Sequence, residues 1–532
     1  MMKKIMLKSL LSKTLLLFTM LTVGIASLAQ NKYYVSSAGN DANPGTISSP
    51  WRTISKVNSS WSVIQPGDTI FLRGGDTFRE TLTIGKSGTS LNRIVVTSYG
   101  TGKALISGYN TITGFSLTSG SIYQASFTQG KDQLINVEIN GRQAQIGRTP
   151  NDDQTPYYFE SYSGSTSITD NQLLASPNWT GAEVVIRKSH WAFDRAKVTN
   201  HSGTLVQYGL TGFTLGGGSQ SLWTPDKSGY GFWFQNSLQT LDREGEWYYN
   251  SSTQVFYFHA GNKTPAEFVV RASARDTGIN INNKSYITID GINFEGNNIS
   301  GIHAINTDYL IVRNCTITNS VVGILFRNVG NTTIEDNVVD YALTSGIVVE
   351  SSSKSNITVQ RNTVNNVYLI AGMGDYSNDA VGLRSIRVSA NNNTIRRNFL
   401  KNTGYSGINF QGNNVLIEEN RVDSFCVTQE DNGAIYVYSG PQTYSPASPV
   451  YTNRVIRKNI ITNAVGNPYA MPVGSLIDLA GIYFDGKSMN AVVLDNYLEN
   501  IPGPAIYSNN GVNIRVTGNL CKNVRNGSRL NL

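Results

Sequence analysis

The sequence predicts an all-β fold, a parallel β-solenoid, on the strength of two recurring patterns and a composition. Seven asparagines, Asn337, Asn362, Asn398, Asn420, Asn459, Asn496 and Asn519, are each separated by two residues from a preceding Ile or Val. A second series, Asn366, Asn402, Asn463, Asn500 and Asn523, trails most of them by four residues. A residue that returns once per turn of a coiled chain stacks on its counterparts. An amide can then donate to one neighbour, accept from the other and satisfy backbone groups at a tight corner. The second pattern is a small residue followed by Ile: Gly301-Ile302, Gly323-Ile324, Gly346-Ile347, Gly407-Ile408, Ala434-Ile435, Gly481-Ile482 and Ala505-Ile506. Most of these steps lie 22 to 27 residues apart, one strand-rich rung each, with longer gaps where loops are inserted. The 51 glycines and 15% charged residues suit a turn-dense chain that extends its core rung by rung. A single Asn usually marks only a turn, but seven in register do not.

From the start of the chain, residues 1–29 read as a secretory signal. Lys3, Lys4, Lys8 and Lys13 flank the apolar run Thr14 to Ile25, and Ser27 and Ala29 provide small residues for cleavage after Ala29. That run is short for a membrane span, and no other segment approaches the required length. The expectation is an exported, monomeric chain in the extracellular or periplasmic space. Residues 30–131 are expected to form the N-terminal cap and first rungs. Ser49 and Pro50 predict a helix start, with Ile54, Val57 and Trp61 on one face covering the open end of the core. Strands then follow at Thr69 to Arg73, Thr81 to Ile84, Ile94 to Ser98 and Ala104 to Ile106. Between 132 and 272 the period disappears, five of the seven tryptophans cluster, and short alternating stretches such as Ala182 to Lys188 and Gln254 to His259 predict an inserted β domain. Residues 273–532 carry the ladder, and no segment of different composition follows Asn523.

Charge and cysteines exclude several function classes. Without the four signal lysines the chain holds 39 basic against 36 acidic residues, a net +3, which argues against a polyanionic partner. Three cysteines cannot form a disulfide framework, and Cys315 and Cys521 fall about seven rungs apart at ~4.8 Å each, so all three are expected to be unpaired. The four histidines, His190, His201, His259 and His303, lack metal-ligand spacing. There is no serine nucleophile elbow, phosphate-binding glycine loop or basic aromatic patch for nucleic acid.

Tyr33-Tyr34-Val35-Ser36, Gly39-Asn40-Asp41, Asn43-Pro44-Gly45-Thr46 and Ser49-Pro50-Trp51-Arg52-Thr53-Ile54 resemble the opening of secreted right-handed parallel β-helix proteins of the pectate-lyase-like superfamily. Asn140-Gly141-Arg142, Gly147-Arg148-Thr149-Pro150-Asn151 and Leu241-Asp242-Arg243-Glu244-Gly245-Glu246-Trp247-Tyr248 are similar to segments of glycoside hydrolase family 141. So are Asp431-Asn432-Gly433-Ala434-Ile435-Tyr436 and Gly481-Ile482-Tyr483-Phe484-Asp485. The resemblance implies a glycosidase with its catalytic aspartates in these last two motifs.

Aligning rungs on the small-residue-Ile step gives an outward column of His303, Leu325, Val348, Arg384, Asn409, Tyr436, Tyr483 and Tyr507, because side chains alternate across a strand. Its later part is a polar and aromatic row of the kind that stacks sugar rings and binds hydroxyls. Asp431, Asp478 and Asp379 share a column ahead of the step, Glu430 adjoins it, and Asp485 follows Tyr483 on the outward face. Glycoside hydrolysis needs two carboxyl groups, one to protonate the leaving oxygen and one to activate water or attack the sugar. Those roles are carried by resemblance to Asp431 and Asp485, with Glu430, Tyr436, Tyr438, Tyr483, Asn409, Arg384 and Asp379 as expected substrate contacts. Loops at Val367 to Asp379, Ser439 to Pro449 and Asn467 to Ser475 swell the same rungs, as binding loops of a solenoid do.

The expected partner is a plant or algal polysaccharide or oligosaccharide, with no nucleic acid, no metal and no organic cofactor. Two other readings remain open. A polysaccharide lyase would draw its base from Arg384, Arg387 or Lys401, with Ca²⁺ held by Asp375 to Asp379. A non-catalytic surface protein would bind glycan in the same groove.

Overall fold

The computed structural model describes residues 30–128, 134–212, 221–373, 383–439, 450–486 and 488–531. One parallel sheet of 30 strands winds through the described residues, each strand paired with its counterpart one rung on. A rung has three strands, as in Val322–Gly330, Thr332–Glu335 and Val338–Asp340, which lie over Ser300–Asp308, Leu310–Arg313 and Thr316–Thr318. Inward Ile, Val, Leu and Phe residues of successive rungs merge into one continuous core from Val35 to Ile506. The hydrophobic effect therefore acts between rungs as well as within them.

The corner between the second and third strands is made by the predicted ladder. Asn337 donates to Asn362 at 3.0 Å, Asn362 to Asn398 at 3.0 Å, Asn398 to Asn420 at 2.9 Å, Asn420 to Asn459 at 3.0 Å, Asn459 to Asn496 at 2.9 Å and Asn496 to Asn519 at 2.8 Å. Each accepting Oδ1 also takes the backbone N–H of the donor residue, so the amides replace a missing backbone ladder. The trailing series stacks too, with Asn402 on Asn366 and Asn500 on Asn463, at positive φ that Asn tolerates. A third ladder, Asn331, Asn356, Asn392, Asn414 and Asn453, occupies the preceding corner, again at positive φ.

The small-residue step has a packing cause. A Cβ on Gly346 would meet Val364 Cγ1 at 2.4 Å, and one on Gly323 would meet Val339 Cγ1 at 2.5 Å. A third-strand side chain fills that corner before the new rung begins.

The N-terminal helix spans Ile54–Ser59 and buries Ile54 and Val57, while Trp61 packs on the core just beyond it. Its N-cap is Thr53, not Ser49, because Trp51 is drawn into an extended bridge with Val35 and stacks on Tyr33. Thr53 Oγ1 accepts from Lys56 N at 3.0 Å and donates to Asp41 at 2.8 Å. Cys315, Cys426 and Cys521 are all free, and Cys315 takes the ladder position below Asn337.

Antiparallel strands between Tyr109 and Ser273 leave the coil and form three smaller sheets. Leu325 and Val348, outward residues of the first strands, are fully buried because apolar side chains of this excursion, including Ile135, Val137 and Ile146, cover them. The later, polar part of the same column lies beyond that cover. The eight-stranded sheet has its own core, into which Met471 of a coil loop inserts, and Gly231 N donates to Ala470 O at 2.8 Å.

Candidate active site

The register defines two outward columns. The first is His303, Leu325, Val348, Arg387, Asn409, Tyr436, Tyr483 and Tyr507. Arg387, not Arg384, holds the fourth position: Ile386 pairs with Ile347, so the long insertion ahead of this rung displaces the sequence alignment by three residues. Arg384 pairs with Ser406 instead and is buried. Arg387 bonds Asn409 Oδ1 at 3.4 Å and forms an ion pair with Glu350 at 3.0 Å. Asn409, also buried, donates to Tyr436 O at 3.3 Å. The second column places Gln411 on the rung below Tyr438, and Tyr438 directly opposite Asp485. Tyr438 is 42% exposed, an open ring at the edge of the groove.

Tyr436, Tyr483 and Tyr507 form a small aromatic cluster outside the main core, with ring centroids 5.4 and 4.7 Å apart. Burial holds both the Tyr436 and Tyr483 hydroxyls well above the ordinary phenol range, and the nearby carboxylates add to it. They therefore act as donors. Tyr436 OH donates to Asp485 Oδ2 at 2.8 Å, and Tyr483 donates to Asp431. Asp485 Oδ1 also accepts Gly486 N at 2.7 Å and Asn509 Nδ2 at 3.0 Å.

Asp431 immediately precedes the strand Asn432–Tyr438, at φ 55°, and sits over Asp478, whose carbonyl accepts the Asp431 N–H at 2.6 Å. Burial, then the charges of Asp478 and Asp485, push the Asp431 carboxyl up to about 7, against the opposing effects of His190 and the Tyr483 hydrogen bond. Asp431 and Asp485, 54 residues apart in sequence, thus share one tyrosine-lined region. Glu430 is fully buried, with Oε2 accepting Asp478 N at 3.3 Å. Asp379 and the expected calcium segment Asp375 to Asp379 lie outside the described residues.

One wall comes from the antiparallel excursion. His190 Nδ1 lies 3.7 Å from Glu430 Oε2. Fully buried Arg187 spends its guanidinium on the carbonyls of Ser189, His190, Asn467 and Tyr469. Tyr230, its hydroxyl raised to about 12 by burial and then Asp226, also senses Glu430 and Asp431. These residues precede Glu430 by some 200 positions and share no period with it. Their sequence signal is the pair Arg187-Lys188 following the apolar Val184-Val185-Ile186.

Two cavities open elsewhere. One of about 360 Å³ is lined by Arg142, Asn151 and Glu246, and one of about 480 Å³ by Gln143, Tyr341 and Leu369. Neither includes the two aspartates. Among the described residues no helix is long and apolar enough to cross a membrane.

With this geometry in place, comparison with known proteins sharpens the fold. The family model for the right-handed beta helix region matches residues 235–383. The chain is a right-handed parallel β-helix. A structure named "Glycoside hydrolase" superposes with a TM-score of 0.60 at 16% identity, over 93% of this chain and 96% of the other. The complex structure of XylC with xylose gives 0.48 at 15% identity, over 91% and 70%. A lacto-N-biosidase of Bifidobacterium longum subsp. longum is 48% identical over 50 residues, 9% of this chain and 3% of that relative's length.

Proposed function

We propose that this protein is a secreted glycoside hydrolase acting on a plant or algal glycan, with Asp431 as general acid and Asp485 as base or nucleophile. The observation that carries the reading is the different settings of two carboxyl groups in one groove. Asp431, pushed up to about 7, keeps a proton to give a leaving oxygen near neutral pH. Asp485 accepts hydrogen bonds at both oxygens, a setting suited to a carboxylate that assists water or attacks the sugar carbon. Tyr436 and Tyr483 orient this pair, and the exposed ring of Tyr438 offers a face to sugar. The resemblance to glycoside hydrolase family 141, the glycoside hydrolase structure and the lacto-N-biosidase relative support the same class.

A polysaccharide lyase is the second reading, favoured by an arginine, Arg387, in the outward column. It is less well supported. A uronate needs positive charge, whereas Asp226, Glu430, Asp431, Asp478 and Asp485 crowd this groove, Arg387 is paired with Glu350, and Lys401 lies in a third strand opposite Asp423.

Assaying a neutral and acidic glycan panel for new reducing ends and for unsaturated uronide absorbance tests the reading. Reducing ends without that absorbance, abolished in Asp431→Asn and Asp485→Asn, are expected. Unsaturated products would identify a lyase, and undiminished turnover in both variants would remove the two aspartates from the mechanism.

A further inference from the structure

His190 stands at the tip of a hairpin between strands Glu183–Arg187 and Phe193–Ser202, and its main chain is clamped from both sides. Arg187 Nη2 donates to His190 O at 3.0 Å and Nε to Ser189 O at 3.3 Å, while Nη1 ties the hairpin to Asn467 O and Tyr469 O at 2.8 and 2.7 Å. On the other side Gln429 donates to Trp191 O and accepts from Tyr368 OH. A fully buried arginine used to hold a loop of the antiparallel domain against a loop of the coil fixes where the imidazole sits.

The imidazole has two different edges. Nδ1 is enclosed and lies 3.7 Å from Glu430 Oε2, too long for a direct hydrogen bond but within ion-pair range. The side chain is nevertheless 26% exposed, so the rest of the ring opens outward. Glu430 behind it is 0% exposed, and its Oε1 has no hydrogen-bond partner. A buried carboxylate with an orphan oxygen is costly, so its retention calls for an explanation in function. A carboxylate behind one ring nitrogen orients the imidazole and strengthens the opposite nitrogen as a hydrogen-bond acceptor, here for a sugar hydroxyl. Glu430 adjoins Asp431 in the chain, so the ring that lies 3.7 Å from it is near the acid of the groove, and its charge acts on Asp431 and on Asp226.

We infer that Glu430 and His190 form a carboxylate-backed imidazole, contributed jointly by the coil and the antiparallel domain, whose Nε2 contacts a neutral sugar beside Asp431. The inference rests on the glycan reading of this groove and adds a substrate-contacting residue to it. The charged groups around His190 are Glu430 and Asp431 from the coil and Arg187 and Asp226 from the antiparallel domain. Even with Asp431 protonated, Glu430 and Asp226 outnumber the single Arg187 cation, so the sugar held there carries no carboxylate.

The test compares wild type, His190→Gln, Glu430→Gln and the double variant for affinity and turnover on a panel of neutral plant and algal oligosaccharides, with melting temperatures as a fold control. Each single variant is expected to lose tenfold or more in kcat/KM or in affinity. The double variant should lose little more than either single one, since the two residues act as a unit. Carbethoxylation of His190 by diethyl pyrocarbonate in folded wild type, read by peptide mapping, should be blocked by bound glycan, which checks the contact without substitution. His190→Gln within twofold of wild type, additive losses, or unprotected carbethoxylation would overturn the inference. If Asp431→Asn keeps full turnover while His190→Gln loses binding, the hydrolase roles fail and this contact stands. If no glycan binds wild type, both fall.

Discussion

Asn420 lies over Asn459 and Asp431 lies over Asp478, two stacks on the same coil with opposite consequences. An amide carries both donor and acceptor, so each asparagine bonds the next and the column gains stability with every rung. A carboxylate only accepts. Burial, reinforced by the charge of the carboxylate stacked on it, raises Asp431 to about 7 and leaves a proton available near neutral pH. The rung spacing that makes one corner a structural ladder makes the other a site for proton chemistry.

Exchanging the two chemistries breaks the comparison most sharply. Asn420→Asp removes donors to Asn459 Oδ1, Ile395 O and Glu418 O and sets carboxylate against carbonyl oxygens, an expected loss of about 3–5 kcal/mol in urea unfolding. Asn420→Leu, which adds no charge, should cost less. Gly346→Ala, aimed at the core corner rather than either stack, should cost about 1–3 kcal/mol, because its Cβ would overlap Val364 Cγ1 and Ser385 O. Tyr436→Phe removes one donor from Asp485 and should lower kcat/KM by about tenfold, with little change in melting temperature.

A smaller effect separates the columns by pH. The folded protein holds the Asp431 proton more tightly than the unfolded chain, whose aspartates titrate near ~3.9. That contribution is fully present below the unfolded value and is lost as pH rises to about 7. Asp431→Asn should therefore flatten the fall in melting temperature between about pH 4 and 7, and Asn420→Leu should not.

The coil was legible because its signals repeat. Seven amides and seven small-residue steps fix where each rung turns, and the acids flanking Ala434 and Gly481 follow from that register. The third ladder was harder to see, since Asn392 and Asn414 sit within runs of asparagine where no single position stands out. Arg384 was placed where Arg387 belongs because the residues inserted before this rung carry their own Gly382 and obscure the true step, which falls at Ser385. His190, Arg187 and Tyr230 escaped because a contact between an inserted domain and a distant rung leaves no periodic trace. Only the cost of burying Arg187 and Lys188 hints that these residues meet partners elsewhere.

The pH dependence of kcat/KM in wild type and Asp478→Asn tests the central claim most directly, because Asp478 is the stacked charge nearest in register to Asp431. The account predicts an alkaline limb near 7 in wild type that moves to lower pH when the Asp478 charge is removed. An alkaline limb that stays in place in Asp478→Asn would contradict it.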